Sequence, residues 1–136
     1  MQSWPRNILV DAGPLVALFL ADDRHHRDAL EFARKNTANL LTTWPVLTEA
    51  AHFLNDKGKL SLYELVAGGG LLLEQLVPQD LIRIATILKK YLGTDLADGS
   101  LIVVAERTGI SDVATVDRAD FSAFRTRAGR AFTNHF

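Results

Sequence analysis

Cysteine is absent from the 136 residues, which excludes disulfides, thiolate catalysis and thiolate-bound structural zinc. Such a composition agrees with a reducing compartment. A dominant charge is lacking too: 15 Lys and Arg against 16 Asp and Glu leave a formal net charge of −1. No global field therefore draws the chain to nucleic acid or to a membrane. A polyanionic partner would have to be held by local arginines or through a bound cation. No apolar stretch reaches the roughly 20 residues of a membrane span, and the start, MQSWPRN, lacks the charged-then-apolar pattern of a leader. Internal repeats, low-complexity tracts and linkers are missing. The expectation is a cytoplasmic protein, not bound to membrane, folded as a single domain over residues 1–136.

What the chain does have is carboxylates where elements end. Ile8-Leu9-Val10 is an apolar run closed by Asp11, and Val113-Ala114-Thr115-Val116 is closed by Asp117. Both read as short buried strands. In an open parallel sheet, ligands bind beyond the carboxyl ends of the strands. Two such strands ending in Asp would aim two carboxylates into one crevice. Like charges brought together repel, so a cluster of this kind implies a cation.

The remaining pattern alternates strands and helices. Gly13-Pro14 opens a helix through Leu15–Leu20, and a second runs from about Asp23 to Lys35. Leu40–Thr42 reads as a strand. Thr43 caps a helix from Val46 to about Asn55 with Pro45 in its first turn, stopped by Gly58. Ser61 starts a short helix broken by Gly68-Gly69-Gly70, and Leu71–Leu76 reads as a strand between those glycines and Pro78. Helices follow at Gln79–Tyr91 and Leu96–Arg107. The latter is nearly all apolar at Leu101-Ile102-Val103-Val104-Ala105, and Gly109 ends it. This order predicts an α/β fold, a three-layer α/β/α domain with a mainly parallel sheet.

Each acid also has a plain structural reading. Glu49, one turn into its helix among Val46, Leu47, Ala50 and Phe53, could be a solvated glutamate near a favourable helix dipole. Asp95 and Asp98 have capping-box spacing, and capping suffices for Asp95. Asp98 immediately precedes the most apolar helix, where a carboxylate stays ionised only beside a cation or several donors. Asp117 could be a turn aspartate with Thr115 on the same pleat face, and Asp120 the N-cap of a short helix carrying Phe121 and Phe124. Jointly, Asp11, Glu49, Asp98 and Asp117 exceed what caps and turns require. Oxygen ligands without His or Cys suit Mg²⁺ or Mn²⁺. His25 and His26 read as solvated helix-start residues and His52 as a core-edge histidine. Arg118, Arg125, Arg127 and Arg130 read either as a solvated surface or, if they flank the acidic site, as holders of a polyanion that the carboxylates repel. A dehalogenase-like phosphotransferase needs a second Asp two residues after the first, where this chain has Gly13. Dinucleotide and phosphate loops fail for want of their glycine spacing and lysine.

The segments ILVDAGPLVALF, TTWPVLTEAAHFL, DLADGSLIVVAERTGI and ATVDRADFSAF, in this order, resemble a PIN-domain ribonuclease, and more narrowly the VapC toxins of bacterial toxin–antitoxin pairs. The resemblance spans Ile8 to about Phe124. It implies a catalytic quartet of Asp11, Glu49, Asp98 and Asp117, with Thr115 in support and Asp95 as an extra acid. Asp11, Asp98 and Asp117 would hold the metal, and Glu49 would complete the shell or orient the attacking water. It further implies an RNA substrate, a cognate antitoxin and a homodimer, with apolar faces at Leu15–Leu20 and Leu60–Val66 available for contact. Gly99 departs from the family's usual alanine, at a helix cost of roughly 0.5–1 kcal/mol, which would loosen the element holding Asp98. The open alternatives are a non-catalytic PIN-like module that binds RNA or protein, and a free-standing RNA-processing nuclease without an antitoxin.

Overall fold

Five strands pair in the order β3-β2-β1-β4-β5, every neighbour parallel, and seven helices flank them in a computed structural model that describes residues 4–136. The strands are β1 Asn7–Val10, β2 Asn39–Thr43, β3 Leu72–Glu74, β4 Asp112–Ala114 and β5 Thr133–Asn134. The helices are α1 Ala12–Phe19, α2 His26–Lys35, α3 Trp44–Phe53, α4 Asp56–Ala67, α5 Asp80–Lys90, α6 Leu96–Thr108 and α7 Arg118–Ala123. This is the expected α/β/α arrangement. The chain winds outward from β1 to β2 and β3, then returns to place β4 on the other side of β1. The strand order therefore reverses between β1 and β4, and a ligand crevice opens at their carboxyl ends.

Burial explains why these segments hold. Ile8, Leu9 and Val113 are sealed between the layers, as are Leu101, Ile102 and Val104 of α6. Each such side chain contributes roughly 1.5–3 kcal/mol relative to exposure. Parallel register sets Leu9 beside Val113 and Val10 beside Ala114, and the Asp11 amide continues the ladder to the Ala114 carbonyl at 3.0 Å. Asp11 thus leaves β1 at the height where β4 ends.

Several boundaries differ from the sequence expectations. Gly58 does not stop α3; that helix ends at Phe53, and Asn55 caps α4 by accepting the Gly58 amide at 2.8 Å. Gly58 lies inside α4 because a Cβ there would sit 2.9 Å from the Phe19 carbonyl oxygen of α1. It is a packing glycine. Ser61 is mid-helix, and only Leu72–Glu74 of the Leu71–Leu76 run is strand. α2 starts at His26, after a turn in which Asp23 accepts the His25 amide. β4 stops at Ala114, short of Val116. The cap of α7 is Asp117, not Asp120. β5 was not foreseen.

Gly99 also reads differently in three dimensions. A Cβ there would approach Ile84 Cγ2 to 2.7 Å, so glycine lets α5 close onto α6 rather than loosening it. Leu15, Val16 and Ala17 are buried within this chain, so Leu15–Leu20 offers little apolar surface to a partner. Leu60 and Tyr63 of α4 do remain exposed.

Candidate metal centre

Asp11, Glu49, Asp95, Asp98 and Asp117 all line one cavity of about 380 Å³ at the reversal point. Asp11 caps α1, its Oδ1 accepting the Ala12 amide at 2.8 Å. Its Oδ2 accepts from the buried Thr115 hydroxyl at 2.8 Å, and the same hydroxyl accepts the Asp117 amide at 2.9 Å. Thr115 therefore ties the end of β1 to the turn after β4. Asn134 of β5 fixes Thr115 in turn: its Oδ1 accepts the Thr115 amide and its Nδ2 donates to the Thr115 carbonyl, both at 3.1 Å.

A second hydroxyl relay serves the other side. Thr43 caps α3, and its hydroxyl meets that of Ser100 at 2.6 Å, both fully buried. Ser100 donates to the Ala97 carbonyl at 2.6 Å. The helix bearing Glu49 is thereby joined to the helix bearing Asp98.

Asp95 caps α6, accepting the Asp98 amide at 2.8 Å. A full capping box would have Asp98 bond back to the Asp95 amide. Among the described residues no such bond forms, and no donor reaches the Asp98 carboxylate. Asp98 is only 8 % exposed. Burial, then the charges of Asp11, Asp95, Asp117 and Glu49, pushes its pKa up to about 8. Burial raises Asp11 as well, against the pull of Thr115 and Ala12, and burial with Asp95 and Asp11 raises Glu49. No Lys or Arg lines the cavity. A carboxylate such as that of Asp98, held close to other acids with neither a counter-cation nor a protein donor, is unfavourable as a charge unless a cation joins it.

The donor set is entirely carboxylate oxygen, the chemistry of a hard divalent ion. Oxygens of Asp98, Asp117 and Asp120 lie within 4.8 Å of one another. Asp120 was assigned only a capping role from sequence. Placed one turn into α7, it carries a raised pKa from its hydrogen-bonding proximity to the Asp117 carboxylate. Asp11 lines the same cavity, each of its oxygens accepting one hydrogen bond, from Ala12 and from Thr115.

Other expectations shift. His25 and Phe53 line the cavity, although neither was singled out for it. Phe53 follows Glu49 by four, a same-face spacing that could have found it; for His25 the sequence carries no signal. The His26 ring meets the Ala17 carbonyl at 2.7 Å and so joins α2 to α1. His52 is exposed against Phe53 rather than at the core edge. None of Arg118, Arg125, Arg127 and Arg130 lines the acidic cavity.

The sequence profile of the PIN domain matches residues 8–126. The chain is 26% identical over 132 residues to the Mycobacterium tuberculosis protein named Ribonuclease VapC26, covering 93% of this chain and 98% of that one. The crystal structure of M. tuberculosis VapC20, a toxin that cleaves the sarcin-ricin loop, superposes with a TM-score of 0.72. That match covers 82% of this chain and 90% of the other at 16% identity.

Proposed function

Because the chain belongs to the PIN-domain family, we propose that it is a divalent-metal-dependent endoribonuclease and the toxin of a toxin–antitoxin pair, working as one domain in the cytoplasm. The observation that carries this reading is Asp98, a largely buried residue whose carboxylate meets no protein donor and opens into the cavity shared with Asp11, Glu49 and Asp117 at the strand reversal. In this reading Asp11, Asp98 and Asp117 hold Mg²⁺, or Mn²⁺ in its place, with Asp120 in reach as a further ligand. A bound ion would polarise the phosphodiester, activate water and offset developing charge.

The chain's own groups do the rest. Thr115 donates to the Asp11 carboxylate and accepts the Asp117 backbone amide, so one hydroxyl holds the first acid and the backbone that carries the other. Glu49 orients the attacking water and accepts its proton, and burial with the charges of Asp95 and Asp11 raises its pKa in the direction that favours taking the proton. Asp95 caps α6 and adds negative charge. Similarity to VapC26 and VapC20 supports RNA as the substrate class.

An antitoxin segment and a second copy of the chain are the proposed protein partners. Phe53, 61 % exposed at the cavity mouth, gives an apolar anchor beside the acids, and a basic side chain would complement them. The direct test is induction in a bacterial host and cleavage of purified RNA. Asp98→Asn and Asp11→Asn should each lose at least roughly a hundredfold in cleavage and lose growth inhibition, while circular dichroism stays native. Undiminished cleavage in either variant sinks the assignment. Co-expression with a neighbouring small reading frame should restore growth and yield a complex. A nuclease that no neighbour neutralises would instead be free-standing.

A further inference from the structure

We propose that a basic strip along α5, the carboxyl end of α6 and the turn at residues 125–131 binds the phosphate backbone of single-stranded RNA. The inference rests on the ribonuclease reading and adds a site to it. Two adjoining cavities, of about 590 and 170 Å³, share Arg83, Thr126 and Arg127, and neither shares a residue with the acidic cavity. Their lining carries six cations, Arg83, Lys90, Arg107, Arg125, Arg127 and Arg130, against two carboxylates, Asp80 and Glu106.

Both carboxylates are already matched. Arg83 grips Glu106 with two bonds, at 2.9 and 2.8 Å, and Arg107 meets Asp80 at 2.7 Å. Four positive charges remain on a chain whose net charge is −1. Arg125 donates only to the Ser122 and Phe124 carbonyls, and Arg130 to that of Gly109. Lys90 and Arg127 are exposed and make no side-chain hydrogen bond or ion pair among the described residues, although Lys90 Nζ lies 5.3 Å from the Tyr91 ring centre and the Arg127 charge helps to lower the pKa of Glu106. The strip is also built in advance. Arg125 bridges Ala131 across a tight turn with Gly129 at φ 83°, and Glu106 accepts the Arg127 amide, fastening that turn to α6.

Position links the strip to the chemistry. α5 and α6 cross with Ile84 against Gly99, next to Asp98, and Tyr91, the residue after Lys90, packs on Phe124 at 5.3 Å. From the other side, Arg125 follows Phe124 directly after α7, whose cap is Asp117. An acidic centre repels a polyanion, and a track of unmatched cations leading away from it supplies the affinity it cannot.

The test measures binding of a labelled, unstructured RNA of about 20 nucleotides in EDTA, across rising KCl. The double variant Lys90→Gln/Arg127→Gln should bind roughly tenfold more weakly at low salt, and its slope of log Kd against log salt should fall by about 1.4, two contacts of about 0.7 each. With divalent ion present, KM should rise and kcat at saturating RNA should hold. Arg34→Gln/Lys35→Gln on α2 should leave both affinity and slope alone. Wild-type affinity and slope in the Lys90/Arg127 variant, with the wild type still cutting RNA, overturns the strip and spares the nuclease. Unchanged RNA binding with loss of a co-purifying acidic protein assigns the strip to that protein and equally overturns it. If the wild type neither binds nor cuts RNA, the nuclease reading falls and takes the strip with it.

Discussion

A buried carboxyl with a raised pKa makes stability depend on pH in a defined direction. Asp98 goes from 3.8 to about 8 through burial and four neighbouring acids. The folded state therefore holds this proton more tightly than the unfolded chain does. That contribution is fully present below about pH 4 and is lost as pH rises towards 8. Asp11 and Glu49 act in the same direction. Melts in EDTA should drop by several degrees between pH 5 and pH 8.5, and Asp98→Asn should flatten the fall and melt above wild type at the alkaline end. A flat wild-type profile would mean the acids are not crowded in solution. Thr115 gives a second outcome at this scale. Thr115→Val strips the partner from both Asp11 Oδ2 and the Asp117 amide, at about 1–3 kcal/mol for groups left unsatisfied. Cleavage should fall at least roughly tenfold, equivalent to about 1.4 kcal/mol in the barrier, while the far-ultraviolet spectrum is unchanged.

Helix packing turns on glycine at two crossings, Gly58 of α4 against α1 and Gly99 of α6 against α5. Alanine ordinarily favours a helix over glycine by roughly 0.5–1 kcal/mol. At Gly58 the obstacle is the Phe19 carbonyl oxygen, 2.9 Å from a would-be Cβ, and backbone yields poorly. Gly58→Ala should therefore destabilise, by roughly 1–3 kcal/mol, read from the urea midpoint. No local pattern could have announced this, because the close neighbour comes from α1, almost forty residues earlier. The same reasoning separates legible elements from hidden ones. β1 and α6 showed in the sequence because burial on all sides leaves an unbroken apolar run, Ile8–Val10 and Leu101–Ala105. β5 is two residues long, too short to carry a period, and exists because β4 offers an edge. Around the acidic cavity, Asp11 and Asp98 were legible since each sits where an element must begin or end. Asp120 stands three residues after Asp117, a spacing that capping alone explains, and His25 enters through the path of the chain before α2, which no spacing encodes.

Taken whole, the molecule separates its charges: acids at the carboxyl ends of β1 and β4, unmatched cations along α5 and the 125–131 turn. A divalent ion that binds only the folded state stabilises it by about 2.7 kcal/mol at a hundred times its Kd. Mg²⁺ or Mn²⁺ should thus raise the melting temperature, more at pH 8 than at pH 5, where protons compete for the same carboxylates. Asp98→Asn should abolish most of that rise; an equal rise in the variant would place the ion elsewhere. One further consequence concerns time rather than space. Ribosomes deliver Asp11, Glu49, Asp98 and Asp117 in that order, yet Asn134, which holds the Thr115 backbone at both its amide and its carbonyl, emerges after all of them. Until that residue clears the ribosome, the hydroxyl that aligns Asp11 with Asp117 lacks its anchor.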